Sequence, residues 1–141
     1  MTPIPALQAA HAAAQTWLAK CQRVDPLFGE PADWLWAFRR DALGDGLLEL
    51  SDAPDRPAER ATLALSVALD LPPVQTPDDA HALLAAAAEL PPGVTLAEQG
   101  FATDDHPLFV LARVPAADVT PDALDALYAR LAKAKHFLED A

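Results

Sequence analysis

The sequence is short of the residues that carry most catalytic chemistry. It has a single cysteine, Cys21, one methionine and only two serines among its 141 residues. One cysteine excludes an internal disulfide framework and any zinc site built from several thiolates. Ser51 and Ser66 fall at the end of one predicted strand and inside another, without the strand-to-helix turn that exposes a nucleophilic serine. We therefore predict that the protein is not an enzyme.

Positive charge is also scarce. Lys and Arg together number 10 against 21 Asp and Glu, which gives a formal net charge of −11. A chain this acidic repels phosphate backbones and anionic lipid, so direct binding to nucleic acid is disfavoured. Residues 1–19 lack charged side chains, but prolines and polar residues interrupt them, so they resemble neither a membrane span nor a secretory signal. We expect a cytoplasmic protein that binds no membrane.

The four histidines do not predict a metal site. His11 and Cys21 lie ten positions apart on one predicted helix, which is too far for both to bind the same ion. Asp104, Asp105 and His106 cluster in a predicted turn, where such residues are common without any ligand. Because the ligand spacings of zinc and calcium sites are not met, we expect no metal and no other cofactor.

The remaining composition favours a folded protein of modest size. Hydrophobic residues make up 52% of the chain and charged residues 22%, a balance that is typical of folded rather than disordered proteins. A chain of 141 residues buries roughly two-thirds of its surface on folding, which is enough for a hydrophobic core. We therefore expect one domain that spans residues 1–141.

Three segments have helical periodicity. The first ends near Arg23, before Asp25-Pro26, and its apolar positions are spaced by three and four residues. The second runs from Thr76 to about Leu90 and the third begins at Thr120; in both, threonine can cap the helix and proline suits its first position. The predicted apolar seams are Ile4, Leu7, His11, Ala14, Leu18 and Cys21 in the first helix, and Leu124, Leu127, Leu131, Ala134 and Leu138 in the third.

Five segments alternate between apolar and polar or small residues, as strands do. They are residues 33–41, 46–52, 62–71, 94–102 and 108–115. The clearest is the third, where Leu63, Leu65, Val67, Leu69 and Leu71 are predicted to face inward. Residues 24–31 contain two prolines and are predicted to form a loop. The order α-β-β-β-α-β-β-α predicts an α+β fold in which a five-stranded, mainly antiparallel sheet packs with helices.

This order of elements resembles the fold of type III secretion chaperones and of the bacterial YbjN family. The local resemblance is strongest at residues 108–127, where an apolar strand closes on Val114-Pro115 and a capped amphipathic helix begins at Thr120. The resemblance implies a small homodimer without a catalytic centre that binds another polypeptide. Type III secretion chaperones are also small, acidic and cytoplasmic, which agrees with the charge of this chain.

Trp34, Trp36 and Phe38 alternate along the first predicted strand and share one of its faces. Tryptophan is enriched at the centres of protein–protein interfaces, so these three residues are candidate anchors for a partner protein. Large aromatic residues in a strand also commonly fill the core. The sequence leaves both interpretations open.

The middle helix is apolar nearly all round after its first turn. A helix of this kind is typically buried on more than one side, and in a domain this small a second copy of the chain can supply the second cover. We therefore predict a dimer interface at Leu83, Leu84, Ala87 and Leu90. The alternative is that the alanines of this helix are exposed and need no partner, because exposing alanine costs little.

Three functions follow from these features. The first is a homodimeric, non-catalytic module of chaperone or adaptor type that binds a segment of another protein. The second is an acidic inhibitor or immunity-type protein that blocks a basic surface, because residues 50–125 hold 13 acidic and 3 basic side chains. The third is a small-ligand binder or an enzyme that uses a pocket between the helices and the sheet.

Overall fold

The computed structural model of this protein describes residues 5–30, 33–41, 44–52, 61–69, 76–98 and 108–140. These residues form three α-helices, a short 3-10 turn at Ala116–Asp118 and one sheet. The helices are α1 (Pro5–Leu18), α2 (Pro77–Ala87) and α3 (Pro121–Glu139). The strands are β1 (Arg23–Glu30), β2 (Asp33–Arg39), β3 (Asp45–Asp52), β4 (Ala61–Ala68), β5 (Val94–Glu98) and β6 (Leu108–Pro115).

The six strands lie in the order β1-β2-β3-β4-β6-β5, and every neighbouring pair is antiparallel. The chain runs as a meander from β1 to β4, and α2 and β5 intervene before β6 returns beside β4. The predicted α+β class, the antiparallel sheet and the adjacency of β5 and β6 are therefore confirmed. The predicted number of five strands is wrong, because the described part of the chain contains six.

The additional strand is β1, which occupies residues predicted to be a loop. Proline cannot donate to a strand ladder and is therefore confined to sheet edges or bulges. Pro26 meets both conditions, because β1 forms an edge of the sheet and its register against β2 shifts between Pro26 and Phe28. The early start of this strand also shortens α1, which ends at Leu18 rather than near Arg23.

The helices cover one face of the sheet and enclose the main core. α1 and α3 both contact β4, and the predicted seam of α3 is buried in full. The Thr76 and Thr120 side chains accept hydrogen bonds from the backbone N–H groups of Asp79 and Ala123, at 3.1 and 3.0 Å, so both predicted caps are confirmed. Trp17 of α1 is the largest fully buried side chain of the described residues.

β4 is a central strand, and its inward residues are placed as predicted. Leu63, Leu65 and Val67 are fully buried and Leu69 nearly so, while Leu71 lies outside the described residues. The residues between them point to the other face of the sheet. There a smaller apolar cluster consists of Leu35, Leu47, Ala68 and Phe109, with Ala37 packed against it.

Candidate functional site

The three aromatic residues of β2 lie on the face of the sheet that packs against the helices. Trp36 is 7% exposed and Phe38 is 2% exposed, and both belong to the main core. The Phe38 ring packs edge-on against Trp17 at a centroid distance of 5.2 Å. This burial removes Trp36 and Phe38 as candidate anchors, because a partner could reach them only by opening the core. The core interpretation that the sequence left open is the correct one for these two residues.

Trp34 is the aromatic residue of β2 that keeps contact with solvent. It is half-buried at the margin of the core, and its ring centroid lies 4.3 Å from that of His11 on α1. His11 also approaches Trp36, at 5.6 Å, and burial lowers the pKa of its imidazole. His11 is therefore a packing residue of the α1–β2 contact, and Trp34 remains the accessible candidate anchor on this strand.

The predicted dimer interface divides between the two sides of α2. Leu83 and Leu90 pack inward against the main core together with Ala86. Leu84 points the other way and is 64% exposed. Within the predicted set, Leu84 is exposed, whereas Leu83, Ala87 and Leu90 are half-buried. An alanine-rich helix shows little contrast between its faces, so the sequence could not separate them.

The solvent face of α2 consists of His81, Leu84, Ala85 and Ala88, which are all exposed and lie on adjacent turns. None of the residues of this helix is buried, and its last turn is followed by Pro91 and Pro92. α3 holds α2 in place partly through Arg130, whose Nη2 donates a hydrogen bond to the Pro92 carbonyl oxygen at 2.8 Å. α2 is therefore a helix with one packed side and one uncovered side, on which Leu84 is the largest apolar residue.

Acidic side chains frame the solvent face of α2. Asp78 and Asp79 are exposed in its first turn, and Glu89 is exposed just beyond its C-terminal end. No Lys or Arg occurs between residues 76 and 98. The first two carboxylates also suit the positive end of the helix dipole, which accounts for them without any ligand. The surface thus combines Leu84 and exposed alanines with the imidazole of His81 and with negative charge at both ends.

A second group of side chains meets at the end of β2, around Arg40. The Arg40 guanidinium carbon lies 4.4 Å from the centroid of the Trp17 ring. Its Nη2 donates to Asp125 Oδ1 at 2.7 Å, and the Trp17 Nε1–H group donates to the same oxygen at 2.8 Å. Beside them the Tyr128 hydroxyl donates to Asp41 Oδ1 at 2.9 Å. These contacts fasten the end of β2 to α1 and α3.

Neither the thiol nor the phenol of this cluster is activated. Burial raises the pKa of the Cys21 thiol, although Arg40 Nη1 lies 4.0 Å from its sulfur. Burial and the Asp41 carboxylate likewise raise the pKa of Tyr128 far above its ordinary value. A protonated thiol and a neutral phenol offer neither a nucleophile nor a proton acceptor at neutral pH. The sequence did not reveal the cluster, although the spacing of Trp17 from Ala14 and Ala10 is that of the buried side of α1.

The second face of the sheet carries a shallow pocket with a volume of about 60 Å³. Leu35, Leu47, Ala64, Ser66 and Leu111 line it, with Glu49 and Arg113 beside them. Pockets for small-molecule ligands typically measure about 300–1,000 Å³, so this one can hold a few water molecules and little more. It lies on the face of the sheet away from the helices, so it is a different place from the pocket between the helices and the sheet that the small-ligand hypothesis invokes.

Metal ligands do not converge within the described ranges. No group of three or more His, Cys, Asp or Glu residues is placed there so as to hold an ion. The Asp104, Asp105 and His106 turn lies outside those ranges.

None of the helices in the described part of the chain is long and apolar enough to cross a membrane.

No protein-family model matches the chain, and no curated protein matches it. The solvent face of α2, with Leu84 at its centre, is thus the candidate site that the geometry itself offers.

Proposed function

We propose that the protein is a non-catalytic protein-binding module of chaperone or adaptor type, which acts as a cytoplasmic homodimer and binds a segment of another protein. The observation that carries the proposal is the solvent face of α2, where a leucine at 64% exposure lies beside His81 and exposed alanines. The resemblance of the element order to type III secretion chaperones and the YbjN family supports the same function. Trp34 is the proposed anchor for the bound segment.

Burial of the solvent face of α2 by a partner is energetically favourable. Fully burying a leucine side chain contributes about 1.5–3 kcal/mol, and a symmetric dimer gains this contribution twice. The adjacent alanines add little apolar area but allow another helix to approach closely. A partner surface on α2 therefore stabilises both the interface and a helix that has no buried residue of its own.

We expect the purified protein to be a dimer at micromolar concentration. Light scattering coupled to gel filtration should give twice the chain mass of 15.0 kDa at high loading and a decline towards one chain mass on dilution. The reason is that the 11-residue helix α2 offers little area for an interface, which supports a moderate rather than a permanent association. A mass of one chain at every concentration would contradict the dimer.

The alternative is an acidic inhibitor that blocks a basic partner surface. It is supported by the charge of residues 50–125, which hold 13 acidic and 3 basic side chains, a net of −10. The dependence of the association rate on salt concentration distinguishes the two functions. Association that depends on charge steering slows steeply as salt rises, whereas the burial of apolar surface persists. A client whose association rate is insensitive to salt would support the chaperone-like module, and a rate that falls steeply would support the inhibitor.

A further inference from the structure

His11 is the one ionisable side chain of α1, and it lies on the proposed anchor Trp34. The centroid of its imidazole ring lies 4.3 Å from that of Trp34 and 5.6 Å from that of Trp36, and the imidazole is tilted by 39° and 38° against the two indoles. Both tryptophans lie on β2, so His11 is part of the contact between α1 and this strand. Rings at these distances touch, and His11 therefore covers part of the Trp34 indole.

On another side the Trp34 indole faces a glycine. Trp34 pairs with Gly29 of the edge strand β1, and a Cβ atom added to Gly29 would lie 3.5 Å from Cδ1 of the indole. Gly29 is exposed and has no side chain with which to cover the ring. Trp34 is accordingly half-buried, whereas Trp36 is buried. How much of Trp34 meets solvent therefore depends on whether His11 stays in place.

α1 is held on the core by residues other than His11. The buried ones are Leu7, Ala10, Ala14, Trp17 and Leu18. The Trp17 indole N–H group also donates to Asp125 of α3 at 2.8 Å. His11 itself is half-buried, so a rotation about its side-chain bonds brings the imidazole into water without moving the helix. A change of charge on His11 therefore acts locally, on its contact with the two indoles.

β2 offers His11 aromatic side chains and no counter-ion. The residues on the face of this strand that meets α1 are Trp34, Trp36 and Phe38. Because side chains alternate along a strand, the positions of Asp33 and Arg39 belong to the opposite face. A positive charge on His11 would therefore lie against two indoles without a carboxylate from this strand.

The other elements near α1 carry charged groups that also affect the protonation of His11. They are Arg40 at the end of β2, Asp52 at the end of β3, Asp118 of the Ala116–Asp118 turn, and Asp122 and Asp125 of α3. Arg40 and Asp125 pair with each other at 2.7 Å. An ion pair between His11 and one of the other carboxylates would raise the pKa of the imidazole, whereas burial lowers it. The neutral form of His11 is therefore the one that packs on Trp34.

We infer that His11 is a pH-sensitive cover of Trp34, which packs on the indole when it is neutral and turns into water when it is protonated. A charged imidazole is strongly hydrated, and it loses that hydration between α1 and the two indoles. A cation is also attracted to the face of an indole, and this attraction acts in the opposite direction. We expect the loss of hydration to prevail, because burial lowers the pKa of His11, and a titration of His11 distinguishes the two effects.

For the proposed function, this cover regulates the anchor. Trp34 is more accessible to a bound segment in acid than at neutral pH, so the affinity for the segment should rise as the pH falls from about 7.5 to about 5.5. This regulation rests on the proposed function, because Trp34 is the anchor proposed there. The cover itself can be measured without any client, so the cover and the protein-binding function can fail separately.

Quenching of tryptophan fluorescence by acrylamide tests the cover at about pH 7.5 and about pH 5.5, a range in which histidines titrate and most carboxylates stay charged. The contribution of Trp34 is the difference between the unsubstituted protein and Trp34→Phe. We expect its quenching constant to be about twofold higher at the lower pH, since the indole loses a neighbour on one side. His11→Gln, which cannot be protonated, should give one constant at both pH values. His81→Gln, the matched control at an exposed histidine of α2, should keep the increase.

A titration of the imidazole by nuclear magnetic resonance provides a second readout, in which the His11 signal is the one missing from His11→Gln. We expect a midpoint below the value of about 6.5 of an unperturbed histidine, and a shift of the Trp34 indole N–H signal with the same midpoint. By linkage, the unsubstituted protein should lose stability relative to His11→Gln as the pH falls below about 6.5. A midpoint at or above that value, or Trp34 quenching that is the same at both pH values, would overturn the inference. A pH-dependent Trp34 in a protein that binds no polypeptide would support the cover and remove the proposed function.

Discussion

Replacing Val67 with Asp is expected to destabilise the protein strongly at neutral pH. Val67 is fully buried in β4, between Gly46 of β3 and Val110 of β6. A carboxylate at this position has no partner and no access to water, so the free energy of unfolding should fall by several kcal/mol. A domain of this size has only about 5–15 kcal/mol of stability in total. Chemical denaturation followed by circular dichroism measures the loss.

Val67→Asn is the matched control, because asparagine has nearly the same size as aspartate and is also polar, but it carries no charge. Burial raises the pKa of the introduced Asp above the value of about 3.9 that it has in the unfolded chain. The additional destabilisation of Val67→Asp over Val67→Asn should therefore be absent below about pH 4 and should grow as the pH rises. Equal stability of Val67→Asp and the unsubstituted protein at neutral pH would show that β4 is not a central buried strand.

Replacing Trp36 with Ala is expected to lower the free energy of unfolding by about 3–5 kcal/mol, because the change leaves a large cavity in the core. Replacing Trp34 with Ala should lower it by only about 1–2 kcal/mol, since Trp34 is half-buried and loses mainly its ring contact with His11. Urea denaturation of both variants gives the comparison. Trp34 and Trp36 are the same residue type on the same face of the same strand. The difference between the two losses of unfolding free energy therefore reports the difference in burial.

The opposite ranking would contradict the placement of these residues. If Trp34→Ala were the more destabilising change, Trp34 would lie in the core and Trp36 at its margin. Fluorescence quenching by acrylamide gives an independent check: loss of Trp34 should reduce the quenchable fraction more than loss of Trp36, because Trp36 is only 7% exposed.

Elements whose signals are local were predictable from the sequence. β4 follows from strict alternation between Leu63 and Leu69, and α2 and α3 follow from a Thr-Pro-Asp start whose cap depends on residues three positions apart. β1 was not predictable, because Pro26 argues against a strand unless the strand lies at an edge. Its position at the edge is set by pairing with β2 and by the rest of the sheet, and no pattern within residues 23–30 encodes it.

The candidate site was predictable only in part. The composition of α2 indicated an uncovered apolar surface, but the orientation of Leu84 relative to Leu83 depends on which side of the helix meets the core. The Arg40 cluster joins residues that are far apart in the chain, since Asp125 lies 85 positions from Arg40 and 108 from Trp17. Contacts of this kind arise when α1, β2 and α3 pack together. A periodicity within one segment therefore cannot reveal them.

The most direct test of the central claim, that the solvent face of α2 is a binding surface, is the mass of the Leu84→Lys variant in solution. Light scattering at micromolar concentration and physiological salt would compare it with Leu27→Lys, in which an apolar residue of similar exposure is changed on β1. We expect Leu84→Lys to have the mass of one chain, 15.0 kDa, and Leu27→Lys to have twice that mass, with both variants as stable as the unsubstituted protein. A Leu84→Lys protein that remains a dimer would contradict the claim.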